Sequence, residues 1–326
     1  MKKLTPDQWK GLWHRPLMTS INELKDKTYD GEIREFWRSQ LEAIQADEPL
    51  QIVDLACGNG GLAWLLNDLL NSKTVHANIT GVDFANINPF KALKKNKDRY
   101  PGITFIGNTP LESMPFENST FDVAVSQWGV EYSELEKTIP EIIRILKPQS
   151  TFIGICHHRD SDIVKSSQLA LDGYYALQGD GAIFDCLLEL DDCYNRVRTL
   201  SAIQQDPECR RLSIRLHQIL YETKVALKAS PSHLNGMEHL KDILAAFNEA
   251  PNMRKPGRKK LIEDTRDELK YFIARYEDLW LAALDKPDIE LIGNLFEQAG
   301  FKPMETRNIH YEKMGDVGLA IIAQRP

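Results

Sequence analysis

The stretch Ile52-Val53-Asp54-Leu55-Ala56-Cys57-Gly58-Asn59-Gly60-Gly61 restricts the fold of this chain more than any other. A short apolar run ends on a carboxylate, turns through glycines and opens into Leu62–Leu70, where apolar residues recur at helical spacing. A buried strand that turns straight into a helix is the first half of a right-handed βαβ unit. The same texture continues for about a hundred residues. Gln51–Leu55, Ile79–Phe84, Ile103–Ile106, Phe121–Ser126 and Thr151–Cys156 read as strands, and Pro89–Tyr100 and Leu135–Leu146 as helices between them. This rhythm predicts an α/β fold with a doubly wound, mostly parallel sheet and a ligand crevice at the carboxyl ends of the strands.

The flanking regions differ. Residues 1–50 read as a helical segment whose large apolar groups are Trp9, Trp13, Phe36 and Trp37. Residues 51–160 form the core. Strand signals stop over 161–286, where Asp206-Pro207-Glu208 starts one helix and Leu269, Phe272, Ile273, Tyr276, Leu279, Trp280 and Ala283 mark another. Residues 287–326 return to the core, with a helix over Ile289–Ala299 closed by Gly300. Strands Phe301–Tyr311 and Val317–Gln324 then form an antiparallel pair, the last two of seven. The all-helical insertion leaves the sheet after its fifth strand, so it is expected to form a lid over a substrate.

Composition narrows the classes. With 42% hydrophobic and 27% charged residues, the 326-residue chain has a globular profile, and no apolar run approaches the ~18 residues needed to cross a bilayer. Its polar start, Met1-Lys2-Lys3-Leu4-Thr5, has no signal-peptide core. A net charge of −7 argues against a nucleic-acid partner. The basic run Arg254-Lys255-Pro256-Gly257-Arg258-Lys259-Lys260 is the local exception and reads as a solvated loop. Five cysteines without a metal-ligand spacing point to free thiols in a reducing cytoplasm, with no metal site. Nothing in the sequence specifies an oligomeric state.

Gly58 and Gly60 allow close backbone approach to a ligand, and the amides opening the next helix can hold an anion. Asp83 ends the next strand about 20 residues on, where a carboxylate can accept both hydroxyls of a ribose. Gly58-Asn59-Gly60-Gly61-Leu62-Ala63 also fits the dinucleotide fingerprint, so an NAD(P)-dependent oxidoreductase competes. Asp54 counts against it: a charge there is awkward near a pyrophosphate and suited to a ligand ammonium.

Asp54–Gly60, Asp83, the stretch Pro115-Phe116-Glu117-Asn118-Ser119-Thr120-Phe121-Asp122 and Glu141-Ile142-Ile143-Arg144-Ile145-Leu146-Lys147-Pro148 together resemble the class I S-adenosylmethionine-dependent methyltransferases, most closely the type 11-like subgroup acting on small molecules. The resemblance covers roughly residues 50–157 and the closing helix and strand pair. It implies S-adenosylmethionine as methyl donor, S-adenosylhomocysteine as product and a small-molecule acceptor at O, N, S or C. A tRNA or protein acceptor is the alternative, as is a binding protein without turnover. By the same resemblance Asp54, Ala56, Cys57, Gly58 and Gly60 would hold the amino-acid end of the donor, Asp83 its ribose, and Phe84 its adenine. Asn108, Leu111 and Glu112 would meet the adenine edge, and Ser126, Gln127 and Trp128 would line the pocket under the sulfonium. Two positions depart from the family pattern. Ala56 replaces a glycine, tolerable if the turn keeps negative φ, and Asn108 stands where aspartate is common.

Methyl transfer is an in-line displacement governed by alignment, and a base is needed only for a protonated acceptor. Glu131 and Tyr132 after the fourth strand, and His157 and His158 after the fifth, are the candidates. His157-His158 can equally serve the Asp160-Ser161 turn, and no third ligand makes them a metal pair. Tyr29, Tyr174 and Tyr175 can supply an aromatic wall for the substrate, or ordinary packing.

Overall fold

The computed structural model describes residues 5–19, 27–44, 49–178, 182–197, 199–229, 241, 255–312 and 314–326. They divide into two compact units, one within residues 166–277, the other within 3–165 and 278–326. The second contains one seven-stranded sheet: β1 (Leu50–Leu55), β2 (Ala77–Val82), β3 (Ile103–Ile106), β4 (Phe121–Gln127), β5 (Leu146–Cys156), β6 (Glu305–Tyr311) and β7 (Gly315–Gln324). Their order is β3-β2-β1-β4-β5-β7-β6. Strands β1 to β5 run parallel, while β7 is antiparallel to both neighbours and lies between them.

Both faces of the central strands β1, β4 and β7 are buried, which is why they read as apolar runs. Successive residues alternate between the faces. Ile52, Val123, Val125 and Ile153 pack with Ile33 and Trp37 of α2 (Gly31–Ala43) and with Leu65 and Leu66 of α3 (Gly61–Asn71). Val53, Leu55, Ala124 and Phe152 pack with Ile139 and Ile142 of α5 (Leu135–Ile145) and with Phe296 of the helix Lys286–Gln298. A further helix, α1 (Pro6–Trp13), lies near the first of the glycine turns. The stretch expected as one helix over Pro89–Tyr100 is broken. It forms α4 (Pro89–Ala92) and a 3-10 turn at Lys97–Arg99, each capped by an asparagine side chain, Asn88 and Asn96. Lys94 between them takes φ +51°, which ends the helix.

The helical unit comprises most of α6 (Asp162–Gln178), then α7 (Ala182–Arg196), α8 (Leu200–Gln205), α9 (Pro207–Ala229) and most of α10 (Lys255–Ala282). Leu171, Phe184, Leu187, Leu190, Leu212 and Ile273 centre its own core. Asp206 caps α9 as expected, accepting from the Glu208 and Cys209 amides at 3.0 and 2.9 Å. Not all cysteines are free: Cys193 and Cys209 form a disulfide, because α7 and α9 pack with these Cα atoms 5.8 Å apart. Asp206 lies beside that pair, but the two sulfurs are spent on each other. The basic run at 254–260 lies partly outside the described residues. Within it Arg258 is buried, bonding Asp191 at 2.5 Å and Asn195 at 2.6 Å, so this cation holds the helical core together. Among the described residues no helix is long and apolar enough to cross a membrane.

Candidate functional site

Strand order reverses between β1 and β4, and in a doubly wound sheet the ligand crevice opens at the carboxyl ends there. Asp54 sits one residue from the end of β1, on the face that carries α3, and its Oδ2 accepts from the Ala63 amide at 3.1 Å. Asp83 follows β2; its Oδ2 accepts from Gly58 N at 2.7 Å and its Oδ1 from Ala85 N at 2.8 Å. Both carboxylates are buried, at 1% and 6% exposure, and among the described residues neither makes an ion pair. Burial raises the Asp54 carboxyl to about 8, against the lowering by the Ala63 amide and with the nearby Asp83 charge adding to the rise. Burial raises Asp83 to about 6, opposed by its two backbone donors. Two acids stripped of water with no cation between them are an incomplete arrangement.

The turn between β1 and α3 is left-handed at three positions: Ala56 (φ +54°), Gly58 (+52°) and Gly60 (+79°). The condition under which alanine would sit there without strain, a negative φ, is therefore not met. The position behaves as the glycine it replaces, at a cost of about 1–2 kcal/mol for a residue with a Cβ. Gly129 makes room for its methyl, since a Cβ at Gly129 would stand 2.6 Å from the Ala56 Cβ. Asn108 (+55°) and Trp128 (+54°), after β3 and β4, are left-handed too, so strained backbone gathers at the strand tips.

A cavity of ≈ 240 Å³ opens beside these tips. Of the nominated residues, Ala56, Asp83, Phe84, Leu111, Glu112, Trp128 and Tyr132 line it. Phe84 is 47% exposed, an apolar ring left available at the strand tip. Trp128 is held by Nε1–H donating to Val317 O at 3.0 Å. Others support the walls. Ser126 is buried, donating to Leu55 O and accepting from Val130 N, both at 3.0 Å. Gln127 Oε1 accepts from Trp37 Nε1 at 2.5 Å. Burial raises the Cys57 thiol, with Asp54 and Asp83 adding to the rise, and its Sγ contacts Gly58 O. Asn108 is exposed and does not line the cavity. Tyr29 is buried edge-on to Trp128, and burial together with the Asp54 charge raises its phenol. In the helical unit Tyr174 stacks with Phe272 and Tyr276, while Tyr175 is exposed and bonds Glu277. Sequence reasoning missed six lining groups, Trp9, Trp13, Gly129, Ser133, Glu134 and Asp278. A larger, open depression of ≈ 470 Å³ at Asp30, Glu32 and Glu312 is lined by neither strand-tip carboxylate.

A family model described as a methyltransferase domain matches residues 52–149. Residues 52–149 are a class I methyltransferase domain. The chain is 28% identical over 123 residues to a demethylmenaquinone methyltransferase of Desulfitobacterium hafniense, covering 36% of this chain and 47% of that one. It is 34% identical over 117 residues to the sterol 4-C-methyltransferase strm-1 of Caenorhabditis elegans, covering 34% and 32%. It is also 34% identical over 116 residues to the uncharacterized methyltransferase YodH of Bacillus subtilis, covering 36% and 46%. The matches thus span between about a third and a half of these curated relatives. A solved structure of the DszA carbon methyltransferase overlaps 90% of this chain and 51% of its own at a TM-score of 0.41 and 15% identity.

Within the methyltransferase domain and just beyond it, two of the nominated base candidates prove to be partners. Glu131 is buried, and its Oε1 accepts both from His157 N at 2.8 Å and from His157 Nδ1 at 2.7 Å. A single oxygen therefore fixes the backbone and the ring of His157, which selects the tautomer protonated at Nδ1. The ring is sandwiched by the site's aromatics, stacked on Trp128 and edge-on to Tyr132. His158 serves the turn through its backbone, its carbonyl accepting from Ser161 N and Oγ.

Proposed function

We propose that this protein transfers a methyl group from S-adenosylmethionine to a small molecule. The observation that carries the reading is the pair of buried carboxylates, Asp54 and Asp83, at adjacent strand tips, neither of them in an ion pair among the described residues. A donor bearing an ammonium and a ribose answers both, Asp54 taking the ammonium and Asp83 the hydroxyls. A pyrophosphate would meet two like charges. When bound, the donor supplies a methyl group on a sulfonium that leaves as a neutral thioether. The chain's part is alignment: the left-handed turn brings backbone close, Phe84 offers its ring, and Trp128 is clamped by the last strand. His157, oriented by Glu131, is the proton acceptor this reading assigns if the acceptor must lose a proton. The helical unit follows β5 directly in the chain, and acceptor selection is assigned to it. Small molecules named in relatives, a demethylmenaquinone and a sterol, support a small acceptor.

Thermal unfolding with S-adenosylmethionine, S-adenosylhomocysteine, NAD and NADP tests the assignment. A ligand at a hundredfold its dissociation constant adds about 2.7 kcal/mol, so the adenosyl sulfur compounds should raise the midpoint and the nicotinamides should not. Stabilisation by NAD or NADP alone would reverse the conclusion.

A further inference from the structure

The cavity at the strand tips has a one-sided composition. Five aromatic rings line it, Trp9, Trp13, Phe84, Trp128 and Tyr132, together with four carboxylates, Asp83, Glu112, Glu134 and Asp278. No lysine, arginine or histidine is among the described lining residues. Asp83 and Phe84 are given to the donor above; aromatic faces attract cations and carboxylates repel anions, so the remaining rings, Trp9, Trp13, Trp128 and Tyr132, and the remaining acids, Glu112, Glu134 and Asp278, select the same sign of charge. We propose that the methyl acceptor is a small amine. The inference rests on the methyl-transfer reading and names the acceptor for that same site.

The rings come from separate elements and are packed against one another. Trp9 of α1 stands edge-on to Tyr132, with centroids 5.4 Å apart, and is stacked with Trp13 at 6.4 Å. The Trp13 ring covers Gly58: a Cβ on that glycine would come within 2.6 Å of it. Trp9, Trp13 and Asp278 lie outside the matched methyltransferase domain, so they are additions by which this chain can differ from relatives that share only residues 52–149. The acids have protein partners of their own. Glu112 accepts from the Glu134 amide at 2.8 Å, and Glu134 pairs with Lys137 at 2.6 Å, a lysine that does not line the cavity. Asp278 is buried at 2% exposure. A carboxylate or phosphate acceptor would enter against this field. A neutral apolar acceptor would use the rings and leave the acids desolvated.

The step balances without a further reactant. The bound ammonium gives its proton by way of solvent to His157, the proton acceptor assigned above, and the freed lone pair forms the N–C bond as the C–S bond breaks. The bonding pair stays on sulfur, which becomes a neutral thioether, and the positive charge passes to the methylated nitrogen.

The donor's own sulfonium is the competing explanation for the lining, and S-adenosylhomocysteine lacks it. The test therefore uses the full chain saturated with S-adenosylhomocysteine and titrated with 2-phenylethylamine, benzylamine and a phenyltrimethylammonium salt. 3-Phenylpropionate and 2-phenylethanol serve as matched controls. At least one amine or ammonium should bind tenfold or more tightly than either control. Trp9→Ala should weaken that binding tenfold or more, and Trp9→Phe should restore most of it, with the response to S-adenosylhomocysteine kept in both. Equal or tighter binding of the carboxylate or the alcohol, or no binding of any cationic probe, would overturn the amine assignment alone. Absence of any response to S-adenosylhomocysteine would bring down the methyl-transfer reading itself.

Discussion

Replacing Asp54 by asparagine separates what this residue does for the fold from what it does for the ligand. Its carboxyl titrates near 3.8 when unburied and at about 8 in the folded chain. Between those values the folded state holds a proton that the unfolded state has released, so stability falls as pH rises through the window and is level above it. At about 1.4 kcal/mol per pH unit, the full gap amounts to about 6 kcal/mol above pH 8 and about 2 kcal/mol at pH 5. Asparagine keeps an oxygen for the Ala63 amide and carries no charge to desolvate. The variant should therefore be more stable than the parent, by a margin that widens by several kcal/mol between pH 5 and pH 8.5. Urea unfolding of both proteins at the two pH values measures it. The donor should bind the parent more tightly as pH rises from 6 to 8, since its ammonium needs the ionised acid, and should bind the variant weakly at every pH. A stability gain that does not change with pH would refute the argument. So would donor affinity in the variant equal to that of the parent.

Four further outcomes follow from particular contacts. Ala56→Gly should stabilise by about 0.5–1 kcal/mol, the left-handed cost relieved less the extra chain entropy of glycine. Gly129→Ala should cost about 1–3 kcal/mol through collision with the Ala56 methyl, and combining the two should recover part of that loss, read by a double-mutant cycle in denaturant. Glu131→Gln should lower the fraction of His157 protonated at Nδ1, seen in nitrogen-15 spectra of labelled histidine, while donor affinity stays within about twofold. Breaking the Cys193–Cys209 bond, by Cys209→Ser or by dithiothreitol, should cost the helical unit about 3 kcal/mol for a loop of this length, measured as a lowered unfolding midpoint.

The parallel core was readable because strands buried on both faces are apolar throughout, and Asp54, Gly58, Gly60 and Asp83 fall where a strand-turn-helix must place them. What escaped was long-range. That Ala56 would be left-handed depends on Gly129, a partner 73 positions away in the chain. Glu131 and His157 were each nominated, yet nothing local says that one carboxylate oxygen binds the other twice. Trp9 and Trp13 read as helix packing, because only tertiary structure brings α1 to the strand tips. Spacing alone gave no reason to pair Cys193 with Cys209, since α7 and α9 had first to be laid side by side. The helix over Pro89–Tyr100 failed for a local reason: asparagines at 88 and 96 offer caps that compete with a continuous helix.

Strand β7 fills the gap between β5 and β6, and its Val317 carbonyl anchors Trp128, 189 positions earlier. On a ribosome adding about 5–20 residues per second, that carbonyl emerges roughly 10–40 s after the indole it will hold. Throughout the interval the outer edge of β5 is a row of unpaired amides and carbonyls, the kind of edge on which nascent chains aggregate. Completion of the pocket thus waits for β7, and a message truncated before residue 317 yields a chain whose binding crevice has an unsecured wall.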